Sequence, residues 1–195
     1  MKFKSLFTVT FLLFVGTAFG QTPNPTPNHM LFSPLYFFDG TFMLTYERLF
    51  ASGSLRITPS IKLQNLTDQD YSQREGWGLD MGYKFFFTKR LYPANFYMGP
   101  YALYKNIRVK VPYDYDPMFG STPRFQTDTY NIMSFGVDSG IKFIFGRFTM
   151  DISFGGGIRY AYVDGYTYKS SRSEWFDIDY KGIVPRGNIS FGVAF

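Results

Sequence analysis

Gly187-Asn-Ile-Ser-Phe-Gly-Val-Ala-Phe195, the last nine residues of the 195-residue chain, alternate large apolar with small or polar side chains. Ile189, Phe191, Val193 and Phe195 fall on one side of an extended backbone, and Asn188, Ser190, Gly192 and Ala194 on the other, because strand side chains change face at every residue. Chain ends of soluble domains usually fray. A strand this regular, running to the final residue, is therefore predicted to close a ring of hydrogen bonds, as a transmembrane barrel requires.

The same alternation recurs upstream. It runs through Thr41 to Phe50, Leu55 to Gln64, Trp77 to Phe87, Tyr97 to Val111, Met133 to Phe145, Phe148 to Tyr162 and Ile183 to Phe195. Trp77 to Phe87 is the cleanest, with Trp77, Leu79, Met81, Tyr83, Phe85 and Phe87 opposed to Gly78, Asp80, Gly82 and Lys84. With both chain ends on one side of a membrane the strand number must be even. An eighth strand is then expected at Leu31 to Phe38, turned by Asp39-Gly40, whose residues tolerate positive φ, into Thr41. Pro34 leaves open a short plug or amphipathic segment instead. Connections alternate in length: Ala51-Ser52, Lys89 to Ala94 and Gly146-Arg147 are short, whereas Thr67 to Glu75, Pro112 to Asp128 and Asp164 to Gly182 are long. That is the pattern of periplasmic turns and outer loops. The fold class expected is all-β, an antiparallel up-and-down transmembrane β-barrel of eight strands.

Met1 to Gly20 has basic residues at Lys2 and Lys4, an apolar run from Leu6 to Val15 and small residues before Gln21, so it reads as a secretory signal peptide over 1–20. Residues 21–29, with Pro23, Pro25 and Pro27, read as an extended periplasmic lead-in, and 30–195 as the barrel. The chain has no cysteine, which excludes disulfides, thiolate metal sites and a thiol-linked lipid anchor. Aromatic residues make up 22% of the chain, yet mean hydropathy is only −0.13, as expected when apolar residues alternate with polar ones. The net charge of +5 includes Lys2 and Lys4 and forms no basic stripe, so no nucleic-acid partner is expected.

Alternation alone does not say which face is outside. The non-apolar face is rich in Gly, Ser, Asp and Lys, sizes suited to a narrow lumen, and aromatics such as Trp77, Phe87, Phe145, Phe148, Tyr160 and Tyr162 lie near strand ends, where interfacial girdles form. The apolar face is therefore expected to meet lipid. On these patterns and the terminal Phe195, the chain resembles the small outer-membrane barrels of Gram-negative bacteria, the OmpA and OmpX type. The resemblance implies an outer-membrane location, contact with lipid and lipopolysaccharide, and delivery to the barrel-insertion machinery through the alternating C-terminal strand. It covers nearly the whole chain after the signal peptide and carries no diagnostic activity motif.

Candidate chemistry is sparse. Glu47, Asp80, Asp138 and Asp151 share the inward face with Arg56, Lys62, Lys84, Lys142 and Arg159. Unpaired charges there are costly, so these residues are expected to form a lumen network of ion pairs; a polar conduit, which would make the protein porin-like, is the alternative. Glu47 with Asp80 imitates a carboxylate pair for acid/base work, but nearby cations favour pairing. Gly155-Gly156-Gly157 lies inside a strand with no following P-loop lysine and reads as a site of curvature or close packing. Catalytic outer-membrane barrels, such as the lipid A acylase, deacylase and protease families, use a loop-side histidine. The chain departs from them there: its one histidine, His29, precedes the expected first strand and reads as a solvated tail residue. No enzyme activity, cofactor or resident metal is expected.

The outer loops remain. Tyr113, Tyr115, Phe119 and Phe125 in one, and Tyr166, Tyr168, Trp175, Phe176 and Tyr180 in another, suit contact with a protein or glycan partner, or else cover the barrel mouth. Asp114 with Asp116, or Asp177 with Asp179, are too few to define a cation site. The sequence thus points to a non-enzymatic structural, adhesive or assembly-accessory protein of the envelope, or alternatively a narrow pore for ions or small solutes.

Overall fold

The computed structural model describes residues 27–63, 73–87, 94–113, 124–164 and 180–195. Alternating residues pair into β1 (Asn28–Phe32), β2 (Thr41–Leu49), β3 (Gly53–Lys62), β4 (Gln73–Phe86), β5 (Ala94–Tyr113), β6 (Arg124–Phe145), β7 (Phe148–Asp164) and β8 (Gly182–Ala194). Each strand is antiparallel to the next, and β8 pairs with β1, so the sheet is a closed up-and-down barrel of eight strands. Closure leaves no sheet edge along the paired strands.

The faces are the inverse of a soluble sandwich. Trp77, Leu79, Met81, Phe85, Phe96, Met98, Met133, Phe135, Val137, Ile152 and Phe154 are exposed on the outside. Glu47, Ser54, Arg56, Thr58, Asp80, Lys84, Asp138, Lys142, Asp151 and Ser190 are buried inside. Size is balanced across the interior. β5 points Tyr97 and Tyr101 inward, and a Cβ at Gly140 would meet the Tyr97 hydroxyl at 2.7 Å, while one at Gly157 would meet the Tyr101 hydroxyl at 2.6 Å. The glycine triplet is thus a recess for Tyr101 and for Asp138, which a Cβ at Gly155 would touch at 2.6 Å.

The turns follow local chemistry. Gly146 has φ 60°, which a tight hairpin needs, and sets Phe145 opposite Phe148. The turns at Phe50–Ser52 and Gly146-Arg147, together with both ends of the described chain, lie at one end of the barrel, here the turn end. The opposite end is the loop end.

Three expectations need correction. The first strand is Asn28–Phe32 instead of Leu31 to Phe38, and Pro34–Asp39 is a 3-10 helix closed by Gly40 at φ 66°. Pro34 sits in the first helical turn, where its missing N–H and fixed φ cost nothing, whereas in a strand it would remove a ladder bond. Asp39-Gly40 therefore ends a helix and does not turn a hairpin. His29 is the second correction: it lies within β1, is buried, and its Nδ1 is 2.9 Å from the Thr149 hydroxyl. The third is the loop expected over Pro112 to Asp128. β5 and β6 instead stay paired as far as Tyr113 and Arg124, so Tyr113 and Phe125 are strand residues. Upstream of Met133, β-branched and aromatic residues such as Thr127, Thr129 and Tyr130 favour extended backbone without any apolar stripe to reveal it.

The substitution of helix for strand splits the seam. β1 pairs with β8 only from His29↔Ala194 to Phe32↔Phe191, and from Ser190 to Gly182 β8 has β7 on one side and no strand on the other among the described residues. The 3-10 helix packs into the gap, where the Tyr36 hydroxyl donates to the Gly187 carbonyl at 3.1 Å while Leu35, Phe37 and Phe38 point outward.

Candidate functional site

The lumen charges segregate into two clusters. Nearer the turn end, Glu47 of β2 accepts from the Ser54 hydroxyl of β3 at 2.5 Å, and lies 3.0 Å from Lys84 Nζ of β4 and 2.8 Å from Lys142 Nζ of β6. Lys84 also reaches Asp151 of β7 at 2.6 Å, and Asp151 accepts from the Tyr97 hydroxyl of β5 at 2.6 Å. Lys84 lies 4.5 Å from the centre of the Tyr97 ring. Six consecutive strands, β2 to β7, are thus cross-tied through two lysines and two carboxylates.

The second cluster uses arginine. Arg56 of β3 bonds Asp138 of β6, and Arg186 of β8 bonds Asp80 of β4. Each guanidinium also faces the other carboxylate, Arg56 to Asp80 and Arg186 to Asp138, both at 3.7 Å. Arg186 stacks over Tyr101 at 4.5 Å. Two arginines again balance two carboxylates.

Neutrality within each cluster is what makes the arrangement tolerable. Desolvating an ion costs several kcal/mol, and an interior charge is retained only where partners and hydrogen bonds offset that cost. Glu47 and Asp80 sit in different clusters, each held by its own cations, so they do not form an acid/base pair.

Seven of the nine expected lumen residues enter these clusters: Glu47, Arg56, Asp80, Lys84, Asp138, Lys142 and Asp151. Lys62 does not. It pairs at 2.9 Å with Asp39 at the end of the 3-10 helix, toward the loop end. Arg159 lies beyond the second cluster and lines a cavity that Asp80 and Arg186 also border. Sequence reasoning missed Arg186, although Arg186 shares its parity with Asn188 and Ser190 on the small-polar face of the terminal strand. It missed Tyr97, Tyr101 and Lys105 for a different reason: both faces of β5 carry large side chains, so alternation there does not distinguish inside from outside.

Of the closing strand, Ile189, Phe191 and Val193 pair with Ile152, Met150 and Phe148 of β7, Phe191 and Val193 also with Phe32 and Met30 of β1, and the Phe195 N–H donates to the Asn28 carbonyl at 2.8 Å. Among the loop aromatics, Tyr180 is half-buried just before β8. Tyr115, Phe119, Tyr166, Tyr168, Trp175 and Phe176 lie outside the described residues, as do Asp114, Asp116, Asp177 and Asp179.

No protein-family model matches the chain, and the comparison with curated proteins finds no match. Among solved structures, the chain is similar to the crystal structure of the N-terminal β-barrel domain of Pseudomonas aeruginosa OprF, at 11% identity and a TM-score of 0.38, over 87% of this chain and 98% of that one.

Proposed function

We propose that this is an exported outer-membrane barrel protein with a non-enzymatic structural, adhesive or assembly-accessory role, its lumen a closed polar core and its loop end the working surface. The observation that carries this reading is the pair of neutral clusters, which tie strands together across the barrel and fill it with paired charge. An eight-stranded barrel has an interior about wide enough for side chains to fill. The outward apolar surface supports the membrane setting, since soluble monomers rarely expose apolar patches beyond a few hundred Å². Aromatic residues concentrated before β8, at Tyr166, Tyr168, Trp175, Phe176 and Tyr180, support partner contact at the loop end.

Single-channel recording on refolded protein in planar bilayers tests the closed lumen. Silence is expected, and steady discrete openings would favour a pore. The lipid-facing assignment has its own test in Phe135, which is 54% exposed on β6. Phe135→Arg is expected to destabilise by about 2 to 4 kcal/mol if the site lies near the bilayer midplane, measured by urea titration of folding into lipid vesicles. Phe135→Leu should cost far less, and equal losses would contradict the facing.

A further inference from the structure

Beyond the arginine cluster, toward the loop end, three adjacent strands turn polar side chains toward one cavity: Lys105 on β5, Ser134 on β6 and Arg159 on β7. Two residues further on the same strands, and so on the same face, stand Ile107, Ile132 and Ala161, which join Val109 and Tyr130 in an apolar cluster. The cavity bordered by the polar layer measures about 210 Å³ and is also lined by Tyr36, Asp80 and Arg186. It would hold roughly seven waters at about 30 Å³ each, room for a small polyatomic ion with part of its hydration. One wall is the split seam, where Tyr36 straps the gap beside β8.

The charge bordering this cavity is predominantly positive, Lys105, Arg159 and Arg186 against Asp80. Asp80 is committed to Arg186 and Arg56 in the balanced cluster. Among the described residues the Lys105 side chain has no ion pair or hydrogen bond, and the buried Arg186 Nη1 has no hydrogen-bond partner. Arg159, which has contacts of its own, borders the same walls, as does Arg186, held by Asp80 and Asp138. A partly desolvated ammonium without a directly paired counter-charge is unfavourable, and an anion placed between these groups would offset that cost. Guanidinium forks match tetrahedral oxyanions with paired N–H donors, lysine adds a point charge, and the Ser134 hydroxyl can donate as well.

We propose that the cavity binds a phosphate group between Lys105, Arg159 and Arg186. The chemistry is the same for a free phosphate or phosphorylated solute arriving from the loop end and for the phosphate of a membrane lipid passing Tyr36 at the seam. The inference stands apart from the role proposed for the loops.

The test uses full-length protein refolded in an alkyl maltoside, which carries no phosphate. One arm titrates inorganic phosphate by calorimetry at constant ionic strength. The other adds phosphatidic acid and measures the phosphorus retained after gel filtration. Saturable binding is expected in at least one arm, weakened about tenfold or more by Lys105→Met and kept by Lys105→Arg. Binding of inorganic phosphate identifies a soluble source; retention of phosphatidic acid alone identifies a lipid one. If Lys105→Met does not fold, Lys105→Gln takes its place, and the two wild-type arms still decide whether phosphate binds. Absence of saturable binding in both arms, or binding unchanged when the Lys105 charge is removed, overturns the proposal.

Discussion

Glu47→Ala is expected to lower stability by about 3 to 5 kcal/mol, the cost of leaving a buried charge without its partner. Glu47 is fully buried and serves two lysines at once, Lys84 and Lys142, while accepting from Ser54. Without it Lys84 keeps Asp151, but Lys142, equally buried, loses the carboxylate that balances it. Two ammonium groups then share a region with one carboxylate. A second substitution separates this account from simple loss of packing: Lys142→Met in the Glu47→Ala background removes the stranded charge at nearly constant volume and should recover much of the loss. Urea midpoints for both variants give the answer. A double variant no more stable than Glu47→Ala would mean that the two residues are not energetically coupled.

Deletion of Phe191 to Phe195 is expected to have the larger effect, loss of the closed barrel altogether. All four β1 partners on β8 lie in this stretch, Phe191 to Ala194, and the Phe195 N–H adds a bond to Asn28. What would remain at the seam among the described residues is the 3-10 helix and its Tyr36 bond, which cannot satisfy two strand edges. Heat-modifiable migration on gels reports closure, and undiminished closed barrel from the deletion would refute the seam. Phe195→Ala behaves differently in this account. Its side chain is 55% exposed and its backbone bond survives, so folding in vitro should be nearly unchanged. A loss confined to assembly in cells would then assign the aromatic ring to recognition by the insertion machinery.

β2 to β4 and β6 to β8 are legible because each alternates between an apolar and a small-polar face, with β5 lying between them, and the structure shifts the strand ends both ways, leaving out Phe50 and Phe87 and extending β6 back to Arg124. The first was not. β1 is five residues long, too short for alternation to stand out, and it begins at Asn28, within the stretch read as a lead-in. Pro34 is the decisive residue, since it suits the first turn of a helix and would cost a strand a ladder bond. His29 was misplaced for the same reason, since a tail residue and the second residue of a strand look alike without the strand. In the lumen, charges beside glycine and serine could be found by parity, whereas Arg186 adjoins Pro185 and Gly187 in the less regular half of β8. The segregation of charge into two neutral clusters depends on which strands meet across the interior, and parity along single strands carries no such information.

In a membrane barrel the apolar face meets lipid while the charged face is enclosed, and the absence of cysteine allows that to be measured residue by residue. Single cysteines at Met133, Ser134, Phe135 and Val137 of β6, spin-labelled in protein refolded into phosphatidylcholine vesicles, report collision with lipid-soluble oxygen and with a water-soluble nickel chelate. Labels at Met133, Phe135 and Val137, exposed on the outside, should collide freely with oxygen and little with nickel, and the label at the buried Ser134 should be shielded from oxygen. Nickel accessibility at Phe135 equal to or above that at Ser134, with no oxygen preference, would contradict the membrane barrel.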